Sequence, residues 1–103
     1  MVLIQMLLPT KRADGAAFGD DVLRQTRDEL IERFGGLTAY MRSPAAGAWT
    51  SPEGRVEKDS VVMVEVVAET FDVAWWRPYA DKLKQRFAQE SIHVRACEVE
   101  TLD

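Results

Sequence analysis

Alternation of apolar and polar positions is clearest in Val61–Ala68, which reads Val-Val-Met-Val-Glu-Val-Val-Ala. β-Branched residues dominate this stretch, it contains no Gly or Pro, and it is short for a helix, so the pattern predicts a strand. Successive side chains of a strand point to opposite faces. Val62, Val64 and Val66 would therefore form one apolar face. Glu65 places a carboxylate in the middle of the other face, so we expect a central strand with one side on a helical core.

Three further segments have the character of strands. Val2–Leu8 is an almost unbroken apolar run that stops at Pro9, as expected of a strand that is buried on both faces or nearly so. Leu37–Arg42 alternates apolar and polar side chains, which is typical of a half-buried strand. Ile92–Cys97 alternates as well, with Ile, Val and Ala on one face and His, Arg and Cys on the other. The chain thus has four main strand candidates.

Two segments have apolar residues at three-to-four spacing, which indicates amphipathic helices. The first starts after Asp20 or Asp21, either of which can cap its N-terminus, and it ends at Gly35. The second is capped by Asp72. Pro78 lies inside the second helix, where it removes a backbone donor, so we expect a kink or a separate first turn there.

The stretch between the second and third main strands predicts a hairpin. Ser51-Pro52-Glu53-Gly54 has Pro and Gly at the positions that favour a type I turn. Trp49, near the tip, would either anchor a partner or line a ligand groove, and we expect the anchoring role.

A weak internal repeat relates the two halves of the chain. The residues that recur at an interval of 53 positions are Leu30 and Leu83, Arg33 and Arg86, Phe34 and Phe87, and Arg42 and Arg95. Because they fall at equivalent places in helix and strand, the order strand–helix–strand occurs twice. This order predicts an α+β, ferredoxin-like βαββαβ fold, in which a four-stranded antiparallel sheet carries two helices on one face. We expect a single domain over residues 1–103.

Composition narrows the functional classes. A 47% hydrophobic and 29% charged chain is typical of a globular protein, and its net charge of −4 argues against nucleic acid. RNA-recognition domains of this strand order stack bases on aromatic residues, whereas the central strands here offer Gln5, Met63 and Glu65. The single cysteine, Cys97, predicts no internal disulfide and fits a reducing compartment. The apolar start of the chain is too short to span a membrane, so we expect a cytoplasmic protein.

Four short motifs relate the chain to other sequences, namely Gly47-Ala48-Trp49, Gly54, Ser60-Val61 and Arg86-Phe87-Ala88-Gln89-Glu90. On these residues the chain resembles a family of short uncharacterised bacterial proteins, over roughly residues 21–97. This resemblance implies the ferredoxin-like fold and no particular activity. In layout the chain is also similar to dimeric α+β barrel proteins, which pair two open sheets and include cofactor-free monooxygenases, isomerases and binding proteins.

The face of the sheet away from the helices is the candidate functional surface. An apolar face of this kind usually marks an interface or a groove. Glu65 is expected beside Arg42, and His93 with Arg95 beyond Gln5. The candidate residues for a ligand or dimer face are Gln5, Tyr40, Arg42, Trp49, Glu65, His93 and Arg95.

Two functions fit this face. The first is a non-catalytic module that forms a homodimer through the open face, with Arg–Glu pairs fixing its register, or that binds a small ligand. The alternative is a cofactor-free enzyme acting on a small anionic or aromatic metabolite, in which Arg42 or Arg95 holds a carboxylate and His93 moves a proton. We assign no catalytic residue. We expect no cofactor and no metal, because the only His and Cys97 lack the spacing of a metal site.

Overall fold

The computed structural model describes residues 1–11, 18, 20–35, 38–42, 48–50, 56–58 and 61–102, and for residues 20, 38–42, 48–50 and 56–58 it describes the backbone alone. Within these ranges no helix is long and apolar enough to cross a membrane. The elements in chain order are β1 (Val2–Pro9), α1 (Asp20–Phe34), β2 (Thr38–Arg42), β3 (Ala48–Thr50), β4 (Val56–Lys58), β5 (Val61–Ala68), α2 (Val73–Arg86) and β6 (His93–Glu98).

Strand β1 is the middle strand of an antiparallel sheet. It pairs with β5 on one side and with β6 on the other. In this register Gln5 lies opposite both Glu65 and Arg95. The three strands predicted from the apolar run of β1 and the alternation of β5 and β6 are therefore confirmed, with the last strand shifted by one residue.

The backbone of β2 runs antiparallel to β5, with Thr38 opposite Glu65 and Arg42 opposite Val61. The expectation that Glu65 lies beside Arg42 is therefore wrong, because Arg42 pairs with Val61, four residues before Glu65 in β5. Alternation fixes which face a strand residue occupies, but it does not fix which residue lies opposite.

The predicted hairpin forms a separate pair of strands. Its backbone places Trp49 opposite Glu57 in the pairing of β3 with β4. Its turn, Ser51 to Gly54, lies outside the described residues, as do the side chains of Trp49, Tyr40 and Arg42. The roles expected of these three side chains remain predictions.

Both helices cover the same face of the sheet. On β1, Ile4, Met6 and Leu8 are completely inaccessible to solvent, and they belong to one core cluster with Leu30 of α1 and Leu83 of α2. Complete burial of such a side chain stabilises the fold by roughly 1.5–3 kcal/mol. The core residues contributed by β5 are Val62, Val64 and Val66, as the alternation predicts.

Helix α2 starts at the predicted cap and passes through its proline. The Asp72 carboxylate accepts a hydrogen bond from the Trp75 N–H at 3.3 Å. The helix is continuous from Val73 to Arg86 with Pro78 inside it, so the alternative of a separate first turn is wrong. A proline at this position removes only one intrahelical bond, the one that the carbonyl of Ala74 would accept.

Both helices end on a residue with left-handed backbone geometry. Gly35 follows α1 with φ of 79°, and Ala88 follows α2 with φ of 53°. The two positions are separated by 88 − 35 = 53 residues, the interval of the sequence repeat. After α2, Ala88 N–H donates to the Gln85 carbonyl and Gln89 N–H to the Lys84 carbonyl, at 3.3 and 2.9 Å. These two bonds form a Schellman motif with Ala in the place that Gly usually takes.

Exchanging Gly and Ala at these two helix ends should change stability in opposite directions. Ala88→Gly is expected to raise the free energy of unfolding by about 0.5–1 kcal/mol, because a left-handed conformation strains any residue with a Cβ. Gly35→Ala is expected to lower it by about 1 kcal/mol. A Cβ at Gly35 would meet no atom within 4 Å, so backbone strain alone accounts for the loss. Urea denaturation of the purified variants measures both changes.

Ala74→Gly provides the matched control, because Ala74 is an exposed residue inside α2. There Gly should lower the free energy of unfolding by about 1 kcal/mol, because Gly has a lower helix propensity than Ala. If Ala88→Gly destabilises the protein as Ala74→Gly does, the left-handed cap at Ala88 is contradicted.

Candidate functional site

The open face of the sheet is formed by the residues of β1, β5 and β6 that alternate away from the helices. Leu3, Leu7 and Val61 are half-buried there, and Val67 is 44% exposed. The other described members of this face are Gln5, Pro9, Met63, Glu65, His93, Arg95 and Cys97. An apolar surface with a polar centre is thus present on the face of the sheet opposite α1 and α2.

Gln5 joins two charged residues across the three strands. The Nε of Arg95 donates to Gln5 Oε1 at 2.7 Å, and Gln5 Nε2 donates to Glu65 Oε2 at 2.6 Å. The contacts follow directly from the register, since Gln5 lies opposite both partners. The sequence-predicted residues Gln5, Glu65 and Arg95 are therefore brought together, and we call them the polar strip.

The polar strip has a positive end at Arg95 and a negative end at Glu65. The carbonyl oxygen of the Gln5 amide faces the cation and its NH₂ group faces the carboxylate, so both contacts hold the amide in one orientation. Neighbouring strands lie about 4.8 Å apart, which sets the backbones of Arg95 and Glu65 roughly 10 Å apart. One side of the open face is therefore cationic and the other anionic.

Met63 occupies the centre of the open face and is only 4% exposed. Its sulfur lies 3.5 Å from Gln5 Nε2. Because the core cluster beneath the helices does not include Met63, its burial takes place on the opposite side of the sheet. The accessible part of the face consequently lies around Met63, at the half-buried apolar residues and along the polar strip.

His93 and Cys97 lie on either side of Arg95 along β6. Both are exposed, and they lie opposite Leu7 and Leu3 respectively. Across the described ranges no three His, Cys, Asp or Glu residues converge as metal ligands. The arrangement offers an exposed guanidinium and an exposed imidazole on the same face, which suit the recognition of an anion.

A second polar cluster connects the two helices, and the sequence did not predict it. Arg86 binds both carboxylate oxygens of Glu29 at 2.8 Å, and it donates to Thr26 Oγ1 at 2.7 Å. The hydroxyl of Tyr79 donates to Glu29 Oε1 at 2.9 Å. The side chain of Arg86 is only 9% exposed. We call this group the interhelical cluster.

Electrostatic shifts in the interhelical cluster follow from these bonds. The hydrogen bonds from Arg86 lower the pKa of Glu29, although partial burial opposes the shift. Burial, together with the bond to Glu29, raises the pKa of Tyr79. The bond to Glu29 also raises the pKa of Arg86. All three shifts favour the protonation states in which the cluster holds α1 against α2, so its chemistry is structural.

The only advance signal for the interhelical cluster was the repeat, which singled out Arg86 without naming its partner. Glu29 is 57 residues away in sequence. No local pattern pairs residues at that separation, so the contact emerges only once both helices are packed on the sheet.

Comparison with known proteins identifies a fold and no family. Neither protein-family models nor curated protein sequences match the chain. Among solved structures, a phage SAM lyase in complex with S-methyl-5'-thioadenosine superimposes with a TM-score of 0.66 and 13% identity, over 94% of this chain and 80% of the lyase. The lyase in its apo state gives 0.62 and 17%, over 94% and 79%.

A variant of CutA1 from Pyrococcus horikoshii has a similar fold as well. It superimposes with a TM-score of 0.60 and 12% identity, over all of this chain and 87% of CutA1. At these identities the likeness is one of fold alone. It establishes a small α+β architecture for the chain.

Removing the carboxylate of the interhelical cluster should destabilise the protein in a pH-dependent way. Glu29→Gln is expected to lower the free energy of unfolding at pH 7 by about 2 kcal/mol, because the nearly buried Arg86 charge loses its carboxylate partner and the glutamine amide offers only one oxygen as acceptor. The folded-state pKa of Glu29 is depressed below 4.5, so the stabilisation is present above that pH and is lost as pH falls through the folded value. The difference in free energy of unfolding between the unsubstituted protein and Glu29→Gln should therefore narrow as the pH falls. Urea denaturation between about pH 7 and pH 3 measures this difference.

Asp81→Asn is the control for this experiment, since Asp81 forms an exposed ion pair with Lys84 at 3.2 Å. Its effect should stay below about 0.5 kcal/mol. A gap between the protein and Glu29→Gln that does not change with pH would show that the carboxylate charge contributes nothing.

Proposed function

We propose that this protein is a non-catalytic assembly module that forms a homodimer through the open face. The observation that carries the proposal is the combination of half-buried leucines, an exposed Val67 and the polar strip on the face of the sheet opposite α1 and α2. Contiguous apolar surface of this kind usually marks an interaction site. A second copy of the same face would bury this apolar surface. We favour this partner because closed two-fold symmetry is the commonest assembly of small proteins.

The direction of the polar strip suits such a pairing. A two-fold axis that lies in the interface and runs along β1 near Gln5 would exchange the two sides of the face. It would set Arg95 of one protomer over the partner's Glu65, and Glu65 over the partner's Arg95. Opposite charges would then meet twice, which would fix the register of the two sheets.

The proposed dimer rests on a ferredoxin-like layout for the whole chain. In this layout β2 completes the sheet as a fourth strand beside β5, and residues 1–103 form one domain. The antiparallel register of β2 with β5 supports this arrangement. The equivalent left-handed ends of α1 and α2, at the interval of the sequence repeat, support a duplicated unit.

A second candidate is a small-ligand site on the same face, either for binding alone or in a cofactor-free enzyme acting on an anionic or aromatic metabolite. It is favoured by Arg95, which is exposed and held at its Nε by Gln5, and by the exposed His93 nearby. The structurally similar phage SAM lyase was solved with S-methyl-5'-thioadenosine bound. Binding of a small carboxylate that is lost in Arg95→Gln would be its signature, and binding that survives this substitution would exclude it.

A lysine on the open face should dissociate the dimer without unfolding the protomer. In Val67→Lys the new ammonium is tolerated by the single chain, because Val67 is 44% exposed there. Within a dimer the charge would be buried without a partner, which costs several kcal/mol. Sedimentation equilibrium should find the unsubstituted protein at about twice 11.6 kDa and Val67→Lys at the mass of one chain.

Val73→Lys is the matched control, because Val73 is 42% exposed and belongs to α2 on the helical side. It should leave the mass unchanged. A mass of one chain for the unsubstituted protein at high concentration, or equal effects of the two substitutions, would overturn the proposal.

A further inference from the structure

A groove of about 270 Å³ lies where the two helices meet. This volume is close to the lower limit of small-molecule pockets, roughly 300 Å³. The residues that line the groove are Glu29 of α1 and Ala74, Trp75, Pro78, Tyr79 and Lys82 of α2. None of them belongs to the open face, so the groove is a separate surface from the proposed dimer interface.

The wall of the groove is aromatic and firmly packed. The rings of Trp75 and Tyr79 stack with their centroids 4.7 Å apart and their planes inclined by 22°. Trp75 also meets Phe34 edge to face at 5.3 Å. The exposed Ala74 and Pro78 extend this wall. Such a surface favours a flat ring, because contacts between aromatic rings are more favourable than the area they bury would give alone.

Among the described residues around the groove, Lys82 is a cation without an ion pair. Glu29 is neutralised by Arg86, whose guanidinium binds both carboxylate oxygens. Arg33 lies 3.6 Å from the Asp72 carboxylate. Lys82 makes no ion pair with any residue in the described ranges, and its Nζ lies 5.8 Å from the Tyr79 ring centroid. Glu29 and Lys82 both line the groove and attract each other, but because Arg86 already binds both oxygens of Glu29, the Lys82 ammonium can bind an anionic ligand.

Cation–π contacts exclude a cationic ligand. Arg33 lies 5.2 Å from the Trp75 ring centroid, and Lys82 occupies the corresponding position over Tyr79. A cationic ligand would be repelled by Arg33 and Lys82, which already occupy the positions over the two rings that would attract it. An anionic group beside Lys82 is attracted instead.

The proline of α2 adds a hydrogen-bond acceptor at the other end. Pro78 has no N–H, so the carbonyl of Ala74 lacks its intrahelical donor, and both residues line the groove. Ala74 and Lys82 are eight residues apart, about 12 Å along the helix axis. This separation leaves room for a benzene ring with polar groups at its two opposite ends and a hydrogen bond of about 2.9 Å at each of them.

We propose that the groove binds a single-ring aromatic carboxylate with a hydrogen-bond donor on its ring. The ring packs on Ala74, Trp75 and Pro78, the carboxylate binds the Lys82 ammonium, and the ring donor reaches the carbonyl of Ala74. The simplest probe with these features is 4-hydroxybenzoate. Binding in the groove does not require the dimer, because the groove and the open face share no residue. Either proposal can therefore fail while the other stands.

A titration of the ¹⁵N-labelled protein with 4-hydroxybenzoate tests the site by amide chemical shifts. The shifts should concentrate in residues 74–82 of α2. Binding should weaken when the charge is removed in 4-hydroxybenzamide, and also when the aromatic ring is replaced by a saturated one in 4-hydroxycyclohexanecarboxylate, which keeps the carboxylate and the hydroxyl donor. Shifts confined to β1, β5 and β6 would assign the ligand to the open face and overturn the proposal, as would equal binding of the three compounds or no shift at all.

Two substitutions on α2 give the matched comparison. Lys82→Gln should weaken 4-hydroxybenzoate about fivefold, the effect of losing one exposed charge pair worth roughly 1 kcal/mol. Lys84→Gln should leave binding unchanged, because Lys84 bonds Asp81 and does not line the groove. Ala74→Leu keeps a good helix former at an exposed position and should abolish binding by filling the groove. Equal affinities of Lys82→Gln and Lys84→Gln, or undiminished binding in Ala74→Leu, would overturn the proposal.

Discussion

The burial of one side of β1 beneath both helices is the constraint on which the rest of the structure depends. Ile4, Met6 and Leu8 are completely inaccessible, so the strand cannot shift by one residue without moving all three out of the core. The same constraint fixes Gln5 on the opposite face. Because β5 and β6 are paired to β1, the positions of Glu65 and Arg95 follow from that register. A core made for stability thus aligns the polar strip.

The interhelical cluster and the polar strip have different consequences for the molecule. In the interhelical cluster, Arg86 is nearly buried and its charge is matched by a bidentate carboxylate within the chain. In the polar strip, Arg95 is exposed, and the neutral Gln5 stands between it and Glu65. The first cluster satisfies its charges internally and holds the helices together. The second presents separated charges on the surface, which is why we place the interaction site there.

Local patterns in the sequence predicted most of the architecture. Period-two alternation identified the buried and open faces of β5 and β6, Gly35 marked the end of α1, and Asp72 marked the cap of α2. These features succeed because each depends on neighbours within a few residues. At Pro78 the sequence left either a kink or a separate first turn, and the separate turn is wrong because a helix with a packed face tolerates one missing hydrogen bond.

Contacts between distant residues could not be predicted in the same way. The expected pairing of Arg42 with Glu65 was wrong. Alternation places Arg42 on one face of the strand, but it does not specify that Val61 lies opposite. The partnership of Arg86 with Glu29 required the packing of two helices. The left-handed Ala88 carries no signal of its own, although the repeat that relates it to Gly35 could have revealed it.

The central claim is that the polar strip meets a second copy of itself, and exchanging its charges tests this most directly. Arg95→Glu and Glu65→Arg would each set like charges against each other across the proposed two-fold axis, whereas the double substitution would restore both pairs. The Gln5 amide can rotate to serve either arrangement. Sedimentation equilibrium should therefore find each single variant at the mass of one chain and the double variant at the mass of the unsubstituted dimer. Equal masses for all four proteins would contradict the account.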